Sequence, residues 1–287
     1  MIKSATANYC FVILHYKTHQ DSSACIHSIL DNCPYYSSIV VVDNFSNNGS
    51  IEIIEEEFKD YHNIFIIKNK ENLGFARGNN VGYQFAREQL KADFILVSNN
   101  DIIIKDNFLE AVQEEYQKSN CHLIGPDIIS LLDQGHQSPM QVDKLTFKDA
   151  QKLIIKYKLI LLLIHLKLYK YIKPLLSKRT SSIKETEHLS RQENVKLHGA
   201  FIIFTPNFVK NEINAFNPNT FLYMEEDILY QYCLKKEYLS VYLPKATLYH
   251  KEDSSTNSLF TSNIDKQKFV LKNMIKSLRV YMSIIRR

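Results

Sequence analysis

From position 10 the chain alternates short apolar runs with longer stretches in which apolar residues recur every three or four positions. Runs of four or five suit buried strands, and the longer period suits helices with one apolar face. CFVIL at 10–14, IVVV at 39–42, IFII at 64–67 and FILV at 94–97 predict four strands. The intervening spacing predicts helices over 21–30, with Asp21 or Ser22 as cap, over 51–58, from about 76 to 90 and from about 108 to 118. A short strand near 122–124 is expected to end at Gly125-Pro126. This is a βαβ series, the mark of an α/β protein with a largely parallel sheet.

Residues 143–184 break the rhythm with a Lys-studded, Leu/Ile-rich stretch that predicts one or two helices ended by Pro174. A polar linker over 181–194 follows, then a strand near 200–204 and a helix opened by Thr205-Pro206. FLYMEED at 221–227 leads into a helix through Lys236, two short strands are expected near 239–243 and 246–249, and a basic amphipathic helix runs from Ile264.

Charge changes this picture more than composition does. The net charge of +4 conceals 11 Lys/Arg against 2 Asp/Glu in 143–184, and 7 Lys/Arg with no acid in 266–287. The rest of the chain is acidic. Hydrophobic residues at 45% and charged residues at 23% exclude a disordered or collagen-like chain. The five cysteines form no CxxC pair, which fits reduced thiols of a cytosolic protein and not a disulfide framework or structural zinc site. MIKSATANYCFVILHY lacks the order of a signal peptide, and the longest uncharged apolar run, 159–166, falls far short of the ~20 residues that span a bilayer.

If four parallel strands each end in a polar turn, those turns share one sheet edge, where open α/β sheets bind ligands. The turns carry His15 and Tyr16, then Asp43, then the segment ENLGFARGNNVG, then VSNND at 97–101. A carboxylate at a strand end, Asp101, suits a hard cation bridging a diphosphate, although Asn99-Asn100-Asp101 is also turn-forming. Gly74, Gly78, Gly82 and Arg77 at a strand-to-helix junction allow either close anion approach or close helix packing. Glu225, Glu226 and Asp227 after FLYM offer a partly dry carboxylate for proton abstraction, or merely the acidic first turn of a helix. His250 closing a strand is a possible metal ligand or a structural histidine.

Taken in order, VILHYKTHQD, VVDNFSNNGS, ENLGFARGNNVG, VSNND, HGAF, FLYMEED and YHKEDSST closely resemble family 2 glycosyltransferases, in particular the rhamnosyl- and galactosyltransferase-like branch of cell-surface polysaccharide synthesis. The likeness covers roughly 9–130 and 196–257. It implies a Rossmann-like GT-A-type three-layer sandwich, a nucleotide-diphosphate-sugar donor, Mg²⁺ or Mn²⁺, and inversion at the anomeric carbon. It divides the chain into a nucleotide-sugar-binding half (1–142), a basic helical insert and linker (143–195), an acceptor-binding and catalytic half of the same domain (196–257) and a basic C-terminal helix (258–287). By position His15 and Tyr16 would border the nucleotide and Asp43 would bind base or ribose. Gly74, Arg77 and Asn79 would shape the diphosphate site, with Asn99 and Asn100 beside it. Asp101 and His250 would hold the metal. Glu226 would be the general base, with Glu225 and Asp227 as register alternatives. Asn99 departs from the family, which often has Asp there, and NAFNPNTFLYMEED replaces the usual Gly-rich approach to the acid pair.

The basic segments interleave Lys with Leu and Ile, a pattern suited to an anionic membrane surface and to a polyprenyl-diphosphate-linked or other glycan acceptor at the cytoplasmic face. Nucleic acid explains the charge less well, because it leaves the apolar halves without a partner. Two other readings fit the sequence: a sugar nucleotidyltransferase, whose Gly-rich loop after the first strand is replaced here by HYKTHQDSS, and an inactive peripheral membrane scaffold on the same fold.

Overall fold

The computed structural model describes residues 7–33, 37–142, 145–168, 187–252 and 262–286. The apolar runs become strands β1 (Tyr9–His15), β2 (Ser38–Asp43), β3 (Ile64–Lys68) and β4 (Phe94–Asn99). The periodic stretches become α1 (His19–Asn32), α2 (Ser50–Glu57), α3 (Gly74–Glu88) and α4 (Leu109–Ser119). Alternate strand residues face opposite ways. Phe11, Ile13 and Val41 join one buried layer with residues of α1, α2 and α4. Cys10, Val12, Val40 and Val42 join the other with Tyr83 and Ala86 of α3.

The sheet also holds β5 (Ile102–Ile104), β6 (Leu123–Ser130), β7 (Gln192–Glu193), β8 (Phe201–Phe204) and β9 (Ser240–His250). Its order is β3-β2-β1-β4-β8-β6-β9-β5, with β7 on β9. β1 to β4 pair in parallel, as do β6 and β9, whereas β8, β5 and β7 run antiparallel to their neighbours. This is a mixed α/β sandwich of the expected class. β1 has β2 on one side and β4 on the other, so the winding reverses there, and a crevice opens at the carboxyl ends. Register sets His15 beside Asp43 and Leu14 beside Asn99.

Three local expectations need correction. α1 starts at His19 after Thr18, whose side chain caps nothing. Asp21 instead reaches Lys251 Nζ at 3.4 Å, and Ser22 Oγ turns to His15, so tertiary partners take both expected caps. β6 does not stop at Gly125-Pro126, and β9 is one strand where two were expected. The β6/β9 register jumps from Pro126↔Leu243 to Asp127↔Thr247, and this irregularity accommodates Pro126 and Pro244, which have no N–H to give a ladder.

The second half adds α5 (Phe147–His165), α6 (Pro206–Asn211), α7 (Glu225–Lys236) and α8 (Asn263–Ile285). Thr146 and Ser262 cap α5 and α8 through their side chains. Leu271 of α8 packs with Ile160 and Ile164 of α5, while Tyr281 donates to Leu145 O at 3.1 Å, so the two helices run antiparallel. Pro174, expected to end the insert, and the DSST of YHKEDSST lie outside the described residues.

Candidate active site

At the carboxyl ends of β1, β2 and β4 a cleft of about 190 Å³ is lined by Leu14, Tyr16, Asn44, Asn72, Gly74, Phe75, Asn99, Asn100, Asp101, Phe221, Leu222 and Phe269. Its walls are built by short polar side chains. Asn44 donates to Asn72 Oδ1 (3.1 Å) and Gly74 O (3.2 Å) and accepts from Leu73 N (2.9 Å), which ties the turn after β2 to the entry of α3. Asn100 donates to Thr18 Oγ1 (2.9 Å) and Ser22 Oγ (3.0 Å), tying the β4 turn to α1.

The three glycines of ENLGFARGNNVG divide their duties. Gly74 has φ +75°, and a Cβ there would meet Phe221 O at 2.2 Å, so it lets the aromatic 221 loop close over the cleft. A Cβ at Gly78 or Gly82 would strike Leu14 or Val12 at 2.7 or 2.4 Å. Those two therefore serve the packing of α3 on β1.

Of the expected site residues, Tyr16, Gly74, Asn99, Asn100 and Asp101 share this cleft. Four others are placed differently from expectation. His15 is fully buried, its nitrogens held by Ser22 Oγ (2.7 Å) and Ser50 Oγ (2.8 Å), and burial pushes its pKa down to about 4. It braces the floor and has no free nitrogen for a nucleotide. Asp43 is also buried, and its carboxylate accepts from Ser46 N and Oγ. Arg77 is exposed on α3 with Nε on Leu73 O at 3.4 Å, and it does not line the cleft. Asn79 is buried and donates to Phe75 O at 3.0 Å.

Beyond Asp101 lies His250. Its Nε2 stands 3.1 Å from Asp101 Oδ1, yet the approach lacks hydrogen-bond geometry, and Oδ1 is buried without a donor. An unpartnered buried carboxylate oxygen is costly unless something else meets it. On the far side of the ring His250 Nδ1 meets Gln137 Oε1 at 2.8 Å, and Gln137 Nε2 donates to Glu252 Oε1 at 2.6 Å. The Glu252 carboxylate thus turns the amide so that its oxygen faces the ring. In the neutral ring this arrangement places the proton on Nδ1 and leaves Nε2 to face Asp101. Such an oxygen and nitrogen pair fits a divalent cation whose other ligands come from diphosphate and water. No group of three or more His, Cys, Asp or Glu able to hold a metal occurs among the described residues.

The acid cluster opens α7 and resolves by contact. Asp227 pairs with the buried Lys196 Nζ at 3.0 Å. Glu226 lies against Gly199, where a Cβ would sit 2.3 Å from its Oε1. Its pKa is raised, chiefly by burial and further by Asp227, while Lys196 and the Gly199 backbone pull it down. Ala200 accepts from Asn99 N at 2.8 Å, so the Gly199 turn that receives Glu226 is fastened to the strand end that carries Asp101. His198 contacts His250 edge-on at 6.1 Å between ring centroids and is kept neutral by burial, with its pKa pushed down to about 4.

Glu225 is buried, and its Oε1 reaches no donor. Burial, and then neighbouring Glu226, push its pKa up from 4.5 to about 7. Below pH 4.5 this carboxyl is protonated both folded and unfolded. Between 4.5 and about 7 only the unfolded chain has released the proton, so stability falls as pH rises, by up to about 3 kcal/mol, and then levels off. Glu225→Gln is expected to remove this slope. Thermal melts at pH 5 and pH 8 check it: a variant that keeps the wild-type loss of Tm would contradict the assignment.

Sequence reasoning missed Asn44, Gln137, Gly199 and Phe269. HGAF signalled the glycine, but its need became visible only with Glu226 beside it. Phe269 belongs to the basic helix α8 and packs edge-on against Phe221 at 5.9 Å, which nothing local to either residue announces.

Comparison with known proteins bears on the family and the fold. A stretch of 119 residues is 25% identical to the low-salt glycan biosynthesis hexosyltransferase Agl10 of Haloferax volcanii, covering 42% of this chain and 36% of Agl10. Another of 113 residues is 23% identical to the glycosyltransferase GlyG of Streptococcus pneumoniae serotype 4, covering 39% and 36%. The matches thus span about a third of each curated relative. The fold resembles the crystal structure of S. aureus TarS 1–349, with TM-score 0.53, 14% identity, and coverage of 85% of this chain and 60% of TarS. The same fragment in complex with UDP-GlcNAc also gives 0.53, covering 94% and 66%. The family model described as Glycosyl transferase family 2 matches residues 10–170. Matched in this way over more than half of its length, the chain belongs to glycosyl transferase family 2.

Proposed function

We propose that the protein transfers a sugar, with inversion, from a nucleotide diphosphate to a hydroxyl of a glycan or polyprenyl-diphosphate-linked acceptor in cell-surface polysaccharide synthesis, working at the cytoplasmic face of an anionic membrane. The observation that carries the chemistry is the buried Asp101 Oδ1, which has no hydrogen-bond donor and stands 3.1 Å from His250 Nε2, with Glu226 held on the adjoining Gly199 turn. The kind of donor is supported by TarS, whose fragment was crystallised with UDP-GlcNAc.

Transfer requires charge to move in two places. The acceptor hydroxyl loses a proton as it attacks the anomeric carbon, and the departing nucleotide diphosphate gains negative charge. Glu226 takes the proton, and the burial that raises its pKa makes it a better acceptor at neutral pH. Asp101 and His250 would hold Mg²⁺ or Mn²⁺, which as a Lewis acid offsets charge on the diphosphate. Tyr16 borders the nucleotide and Asp43 sets the turn beside it, while Gly74, Asn99 and Asn100 shape the diphosphate wall. Attack by the acceptor hydroxyl itself needs no covalent enzyme intermediate and inverts the sugar.

Calorimetric titration of the whole protein with UDP, GDP and dTDP, with and without Mn²⁺, tests this. One nucleotide is expected to bind at least about tenfold more tightly with Mn²⁺ than without, because the cation neutralises the diphosphate beside Asp101. A protein that binds none of the three is not a transferase of this kind.

A further inference from the structure

We infer that the exposed faces of α5 and α8 form one bilayer-docking surface, in which an apolar ridge on α5 enters an anionic membrane interface while a row of cations on α8 lies over the headgroups. This sharpens the membrane part of the reading above and rests on it, but it does not depend on the transfer chemistry.

The two basic helices look alike in sequence and are used differently. α8 spends its apolar side inward: Leu271, Ile275, Leu278 and Tyr281 are buried. Beyond its first turn the residues exposed are Lys272, Lys276, Arg279 and, just past the helix end, Arg286, spaced four, three and seven apart, with exposed Ser283 filling the gap. That spacing keeps them in one row along the helix. Among the described residues Lys272, Lys276 and Arg279 have no acidic partner at ion-pair distance.

α5 keeps an apolar face exposed. Ile155 is 67% exposed, Leu159 55%, Leu162 52% and Leu166 53%. Their intervals of four, three and four place them on a single ridge. On the same geometry Lys152 and Lys156 flank the ridge on one side and Lys158 on the other, all of them exposed. Ridge and row open on the same side. A groove of about 780 Å³ is lined by Phe147, Ile154 and Ile155 of α5 together with Arg279, Met282 and Arg286 of α8.

Charge decides what covers this surface. A second copy of the chain would bring lysines against lysines. The segment that follows α5 carries Lys170, Lys173, Lys178, Arg179 and Lys184 against Glu185, so it has the same sign. A bilayer rich in anionic lipid supplies both missing partners, hydrocarbon for the ridge and phosphate for the cations. No helix among the described residues is long and apolar enough to cross a membrane, so α5 would lie in the plane of the interface.

Co-sedimentation of the full protein with vesicles tests this without any donor present. Phosphatidylcholine vesicles are compared with vesicles containing about one third phosphatidylglycerol, at low and high salt. The protein is expected to bind only the anionic vesicles. Leu159→Ser with Leu162→Ser, and separately Lys276→Glu with Arg279→Glu, are each expected to weaken partitioning by about tenfold or more. Only the residual binding of the leucine variant should stay salt-sensitive. Both pairs are exposed, so melting temperature and nucleotide binding should not change. Wild-type partitioning by both variants, or no binding to anionic vesicles, overturns the inference. So does a solution dimer that the leucine variant abolishes, since the ridge would then be an interface between copies. Failure of the transferase reading would instead appear in the vesicle-free nucleotide titration.

Discussion

Glu226→Gln is expected to lower sugar transfer by about 10³-fold and to leave nucleotide affinity within a few-fold of wild type, because the amide keeps the shape of the side chain but could not accept the hydroxyl proton. The effect is specific to this member of the acid cluster. Asp227 is committed to Lys196 at 3.0 Å, and Glu225 is buried with an unpartnered Oε1. Only Glu226 rests on the Gly199 turn, whose neighbour Ala200 is bonded to Asn99 at the entrance to the Asp101 loop. Donor turnover measured over UDP-, GDP- and dTDP-sugars, alongside calorimetric nucleotide binding, separates chemistry from affinity. Near-normal turnover in Glu226→Gln would move the base to another residue and remove the mechanism given above.

Asp101→Ala is expected to abolish Mn²⁺ binding and cut turnover by about 10²-fold or more, with little change in stability. The reason for the intact fold is visible locally. Asp101 Oδ1 accepts no hydrogen bond, so its removal leaves no donor stranded, and the backbone bond from Lys251 N to Asp101 O at 3.0 Å survives. Asp101 Oδ1, buried 3.1 Å from His250 Nε2 without a hydrogen bond, is where a cation would supply the missing partner. Electron paramagnetic resonance of free Mn²⁺ gives a readout independent of activity. If the variant took up Mn²⁺ as wild type does, the cation would have to sit elsewhere and the Asp101–His250 pair would be structural.

Much of the site was legible because parallel strands bring their carboxyl ends to one edge whatever the side chains do. VSNND, the glycine of ENLGF and Tyr16 could therefore be placed together before any contact was known, and they line one cleft. Residues whose role depends on a partner distant in sequence were not legible. His15 lies on the right turn, but Ser22 and Ser50 claim its ring. Arg77 belongs to a phosphate-like segment, but the helix turns it outward. Gln137 stands 113 residues from the histidine it orients.

By itself the sequence determined the alternation of β1 to β4 with α1 to α4, since runs of Val and Ile and the three-to-four-residue period are local properties that bury one way only. It also determined which loops would meet. Tertiary structure alone decided that β9 passes Pro244 as one strand, that the acid cluster splits into an ion pair, a stranded carboxyl and a carboxylate on the Gly199 turn, and that α8 buries Leu271, Ile275 and Leu278 while α5 shows an apolar ridge. In each of these cases the local pattern permits several outcomes, and the free energy of desolvating a side chain depends on which distant surface arrives to meet it.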